Sequence, residues 1–210
     1  MIRQDCHCDM PSPIAQLIER MRSHDDDLYA HSLLVSKLTS TFAAHLGFPL
    51  RDQRLLRRSA LLHDVGKLHI DRSLLHKPTT LDEREWAVLR SHPTLGNSIL
   101  EDKDIHDPIV RDAVQNHHER LDGTGYPVGL RGKQISEVVR VITLCDVFAA
   151  MTETRAYGKP YTWSAALERM EGKSTRLDLN FLRHFVTMIE AQYVHRSAPS
   201  VAGWRFRPER

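Results

Sequence analysis

The sequence predicts an all-α protein. Three observations carry this: apolar residues recur at helical spacing along most of the chain, caps and breakers punctuate that pattern, and no stretch of useful length alternates as a strand would. Leu28, His31, Leu34, Val35, Leu38, Phe42 and Leu46 share one helical face, so residues 24–46 read as a long amphipathic helix ending at Gly47 and Pro49. A second helix covers about 52–65 and stops at Gly66. Thr80 with Glu83 reads as a capping box for a helix over 81–91, and Pro93 then breaks the chain before a helix over 94–101. Asp107-Pro108 opens a helix over 108–118. The Gly- and Pro-rich run from Asp122 to Gly132 is a loop. Helices over 136–154, 163–171 and 178–194 complete the pattern.

The composition is that of a globular domain, 41% hydrophobic and 27% charged over 210 residues. We expect a short helix within an N-terminal segment 1–23, a main domain over 24–195 and a frayed basic tail over 196–210. That leaves no room for a separate sensor or receiver domain. A formal net charge of +2 predicts no nucleic-acid polymer as partner, and no apolar run is long enough for a membrane span. Cys6, Cys8 and Cys145, with no secretory signal, point to a reducing cytoplasm rather than a disulfide framework. Cys6-His7-Cys8 has the look of half a metal site but no second pair accompanies it.

The chain holds 13 histidines, and several lie where helix geometry can aim them at one point. Asp27 and His31 are four apart on one helix face. His63-Asp64 and His117-His118 each end a helix, His92 sits at a helix break, and Asp146 lies on the apolar side of a helix, where a carboxylate needs a partner. Spacing alone does not bring these segments together.

Leu62-His63-Asp64-Val65-Gly66-Lys67 resembles the HD motif of metal-dependent phosphohydrolases, and His117-His118-Glu119-Arg120-Leu121-Asp122-Gly123-Thr124-Gly125-Tyr126-Pro127 resembles the second signature of the HD-GYP subfamily. Lys77-Pro78, His92-Pro93 and the Ile142–Thr152 segment extend the similarity over roughly residues 24–190. The resemblance implies an HD-type helical bundle with additional C-terminal helices. It implies hydrolysis of cyclic di-GMP to linear pGpG, and onward to GMP, by hydroxide generated between metals. It also implies His31, His63, Asp64, His92, His117, His118 and Asp146 as metal ligands, with Asp64 bridging. Lys67 would face the scissile phosphate or the attacking water, Arg155 the substrate phosphate, and Gly123, Gly125 and Tyr126 would line the site. Two divalent transition metals are implied, iron or manganese first, with zinc, nickel or cobalt as alternatives; imidazole and carboxylate donors together suit these better than calcium or magnesium. A cyclic dinucleotide is the implied substrate, and a diguanylate cyclase (GGDEF-type) domain or another signalling protein the implied partner.

The chain departs from the family's pattern in places. Asp27 stands where the family often has the glutamate associated with a third metal, so we expect two metals, with Asp27 at most a distant or water-mediated ligand. Arg155-Ala156-Tyr157-Gly158 replaces RPYK, and Asp71 replaces a proline. The altered 155–158 segment supports a competing reading, a non-catalytic module that binds the nucleotide or a partner while keeping its metal site.

Overall fold

The computed structural model describes residues 12–153, 159–172 and 175–197, with side chains to residue 192. Helices dominate, and among the described residues the single β-type pairing is an isolated bridge between Asp122 and Arg131. Among the described residues no helix is long and apolar enough to cross a membrane. Arg155, and Cys6-His7-Cys8, lie outside the described residues.

Helix α1 (Pro13–His24) is capped by Ser12 and has proline in its first turn, where a missing N–H costs nothing. Asp25 ends α1 and caps α2 (Asp26–His45) through the Leu28 N–H at 2.8 Å, so the chain turns where the spacing predicts an unbroken start at residue 24. Gly47, at φ +77°, closes α2, and the short link to α3 (Leu50–Leu62) sets the two helices side by side. Beyond His63-Asp64 a 3-10 turn (Val65–His69) and the short α4 (Arg72–Leu75) follow, neither of which periodicity signals because each is too short to show a period.

The helix expected over 81–91 is α5 (Glu83–Leu89). Its capping box is Asp82 with Glu85, not Thr80 with Glu83. The same four-residue pattern occurs twice, two positions apart, and Glu85 also holds Lys77 at 2.5 Å. Next come α6 (His92–Asp102), α7 (Pro108–Asn116), α8 (Glu137–Thr152), α9 (Trp163–Glu171) and α10 (Leu179–Ser197).

The core lies in two parts. Phe42, Leu56, Ile142, Phe148, Met170 and Phe185 represent the larger, joining α2, α3, α8, α9 and α10. Leu17, Met21, Leu62, Val65, Leu100 and Val114 form the smaller, so α1 shares a core with the turn that follows Asp64. Residues 141–146 of α8 are buried all round because α2, α7, α9 and α10 pack on it. Such a helix loses its amphipathic stripe.

Candidate metal centre

Five segments converge. The end of α3 contributes His63 and Asp64, α2 His31, the start of α6 His92, the residues after α7 His117 and His118, and α8 Asp146. Their donor atoms fall into two groups: Asp64, His92, His117 and His118 in one, and His31, His63 and Asp146 in the other, each with all atoms within 4.8 Å.

Asp64 faces both groups. Its Oδ1 lies 3.2 Å from His92 Nε2 and 3.6 Å from His117 Nε2. Its Oδ2 lies 3.3 Å from His63 Nε2 and 3.9 Å from His31 Nε2, with Lys67 Nζ at 2.6 Å. Asp146 Oδ1 is 3.0 Å from His31 Nε2 and 3.8 Å from His63 Nε2.

The imidazoles are oriented from behind. His63 Nδ1 donates to the Ala60 carbonyl at 2.7 Å, His92 Nδ1 to that of Leu89 at 2.7 Å, and His117 Nδ1 to those of Ala113 and Val114 at 3.1 Å. A carbonyl only accepts, so each Nδ1 carries a proton and each ring turns its Nε2 inward. The Nε2 atoms of His92 and His117 then face each other at 3.2 Å. His63 Nε2 and Asp64 Oδ1 are buried without any hydrogen-bond partner. Imidazole nitrogens and carboxylate oxygens crowded together away from water, some without a partner, are what a cation satisfies. The donor set therefore fits divalent metals, and its nitrogen–oxygen mixture favours transition metals.

The charges agree. Burial pushes the Asp64 carboxyl up, but Lys67 first, and then His63, outweigh it and hold it well below the usual range. Burial likewise opposes, and His31 and His63 overcome, the ionisation of Asp146, which ends below its ordinary value. Burial disfavours a charged His31, yet Asp146 and Glu153 raise it to about 9. His117, by contrast, is lowered to about 4, first by burial, and burial also lowers His118.

The two groups should thus differ in proton release. At pH 7 a cation entering beside His31 displaces about one ring proton, while one entering beside His117 and His118 meets neutral rings. Metal titration in weak buffer is expected to release that proton at pH 7 and not above about pH 9. Without metal, the His31 contribution to stability is full below its ordinary 6.5 and is lost as pH rises through about 9; the His117 contribution is full above 6.5 and is lost as pH falls through about 4. Denaturant titrations across both flanks check the signs.

Asp27 does not join the cluster. Its side chain is 72% exposed, 3.8 Å from His76 Nδ1. It sits in the first turn of α2, a full turn before His31, and the shared face reaches solvent there. Besides Asp146, the carboxylate that reaches His31 is Glu153, at the end of α8, with Oε2 2.7 Å from His31 Nδ1. Sequence reading passed over Glu153 because it is 122 residues away from its partner; only its place one turn after the apolar face of α8 hinted at it.

The glycine loop is built around Glu119. This residue is 2% exposed, and its carboxylate accepts the backbone N–H groups of Val128 at 2.7 Å, Gly129 at 3.0 Å and Leu130 at 2.9 Å. Gly123 has φ +75°, a region open to glycine. A Cβ on Gly125 would lie 2.5 Å from the Glu119 Cα and the Arg120 nitrogen, so the atoms that require this glycine are the chain's own. Tyr126 stacks on His118, centroids 4.6 Å apart. Glu119→Gln should cost about 1.5–3 kcal/mol, the value of hydrogen bonds to a charged group, read as a shift in denaturation midpoint with helix content unchanged. A cleft of about 450 Å³, counting its open mouth, reaches His118 and Asp146 and is lined also by Arg120 and Arg176.

A family description, HD domain, matches residues 14–181. The chain is 35% identical over 179 residues to "Cyclic di-GMP phosphodiesterase PA4108" of Pseudomonas aeruginosa, covering 85% of this chain and 43% of that protein. It is 40% identical over 141 residues to "3'3'-cGAMP-specific phosphodiesterase 3" of Vibrio cholerae, covering 67% of this chain and 30% of the relative. In structure it resembles "Bd1817, a HDG"Y"P protein from Bdellovibrio bacteriovorus", with TM-score 0.64, 21% identity and coverage of 85% and 61%. The chain spans less than half the length of these two curated relatives.

Proposed function

Because this chain belongs to the HD-domain family, we propose that it is a metal-dependent phosphodiesterase acting on cyclic dinucleotides, cyclic di-GMP first. The observation that carries the reading is Asp64, one carboxylate with an oxygen towards each of two histidine groups. His31, His63 and Asp146 would hold one divalent metal, His92, His117 and His118 the other, and Asp64 both; iron or manganese suits the donors. Such a pair, when bound, generates hydroxide from water near neutral pH and offsets charge on the phosphate oxygens. The chain's own groups do the rest. Lys67 Nζ, at 2.6 Å from Asp64 Oδ2, keeps a positive charge at the edge of the cluster, where a phosphate would meet it. Glu119 holds the loop that sets Tyr126 against His118. From the family resemblance, Arg155 would contact a phosphate, residues 24–195 would form the catalytic unit, and Gly123, Gly125 and Tyr126 its loop wall.

With Asp27 facing solvent, we expect two metals. A two-metal site should open the ring faster than it cleaves the linear product, whose terminal phosphate competes for the metals. The same reading puts the protein in the cytoplasm, with a diguanylate cyclase domain or another signalling protein as a partner. Metal analysis of purified protein and chromatography of cyclic di-GMP during incubation test it. The expected result is two metals per chain and pGpG appearing before GMP. Bound metal with unchanged cyclic di-GMP would instead favour the non-catalytic module.

A further inference from the structure

We propose that Trp86, Arg90 and Tyr126 form a guanine-reading subsite next to the metal-ligand cluster; the proposal rests on the cyclic-dinucleotide reading above. The three side chains continue the stack that starts at a ligand. Tyr126 lies on His118 at 4.6 Å, the Arg90 guanidinium lies over the Tyr126 ring at 5.6 Å, and it also lies over the Trp86 ring at 5.4 Å. The stack therefore runs outward from the position where a scissile phosphate would be held. A nucleotide's base lies one sugar away from its phosphate, so a base can reach this stack while the phosphate stays at the cluster.

The residues suit a base in several ways. Trp86 is 44% exposed and Val88, on the same short helix α5, is 48% exposed, an unusual amount of apolar surface for two residues beside a charged site. Tryptophan faces accept any base by stacking. Arg90 is exposed, and among the described residues no carboxylate is paired with it. The guanidinium carbon lies over both rings, and the group carries its N–H donors in a planar fork. A guanidinium edge matches the paired O6 and N7 acceptors of guanine; adenine offers a donor in place of O6. The subsite should therefore prefer guanine over adenine.

The test uses the metal-loaded full chain with cyclic di-GMP, cyclic di-AMP and methyl p-nitrophenyl phosphate, a diester with no base. Arg90→Gln is expected to raise KM for cyclic di-GMP about 5- to 150-fold, the range for one bidentate base contact, with a much smaller change in kcat. The guanine-to-adenine preference should fall towards one, and kcat/KM for cyclic di-GMP should fall relative to that for the base-free diester. Arg90→Lys should keep the charge without restoring the preference, and Trp86→Ala should weaken both dinucleotides alike. Unchanged KM for cyclic di-GMP in Arg90→Gln overturns the proposal. So does a parallel loss on both diesters, which would make Arg90 a prop for Tyr126. If the unaltered protein cleaves the base-free diester but no cyclic dinucleotide, the functional reading fails separately. The subsite is then judged by calorimetric binding of GMP and AMP, where tighter GMP binding that Arg90→Gln removes supports it and equal affinities overturn it.

Discussion

Asp64→Asn should abolish most hydrolysis and most metal binding while leaving the helices in place. The carboxylate is 1% exposed and stands between two sets of inward-facing imidazole nitrogens. Asparagine keeps the shape and turns one oxygen into a donor, so one of the two histidine groups meets an N–H where it met an anion. Removing one partner from a buried charged set costs about 3–5 kcal/mol, or roughly 100- to 5000-fold in affinity for the metal pair. Metal content by elemental analysis should fall together with activity on cyclic di-GMP, while circular dichroism stays as it was. The fold survives because the side chain touches the ligands and Lys67 and takes no part in either apolar core. Full activity in this variant would remove Asp64 from the centre.

Gly66→Ala should do more damage than its size suggests. A Cβ there would lie 1.8 Å from the His92 carbonyl oxygen and 2.6 Å from the Gly96 nitrogen, both backbone atoms that cannot rotate aside. The 3-10 turn after Asp64 and the start of α6 would have to part, which separates Asp64 from His92. We expect a loss of about 3 kcal/mol or more in stability, at the upper end for one methyl group. Gly96→Ala offers the comparison. Its Cβ would meet the Val114 Cγ1 at 2.6 Å, a side-chain methyl, so the neighbour can adjust and the loss should be smaller. Denaturant unfolding of the two variants ranks them, and equal midpoints would show that the Gly66 contact relaxes at little cost.

Much of this was legible in the sequence. Long helices announced themselves wherever one face is buried, as in α2, and the two helix-end signatures marked His63-Asp64 and His117-His118 as a site. The reading failed where a feature is short or depends on distance. The 3-10 turn and α4 have too few residues to show a period. Thr80 with Glu83 and Asp82 with Glu85 satisfy the same capping rule, and the choice fell to the pair whose glutamate also holds Lys77. Asp27 shares a helix face with His31, but a face does not say where solvent begins.

The sequence by itself determined the helical class, which depends on residue type at local spacing, and its two signatures, through the family resemblance, pointed to the side chains proposed as metal ligands. Only the tertiary structure decided how those side chains are used. It turned each oxygen of Asp64 towards a different histidine group, sent Asp27 outward, brought Glu153 from α8 to His31, and set Arg90 of the α5–α6 link over Tyr126 of the glycine loop. Apart from the adjacent His63 and Asp64, these pairings join positions far apart in the chain, and their distances follow from how α2, α3, α6, α7 and α8 pack, which no local pattern encodes.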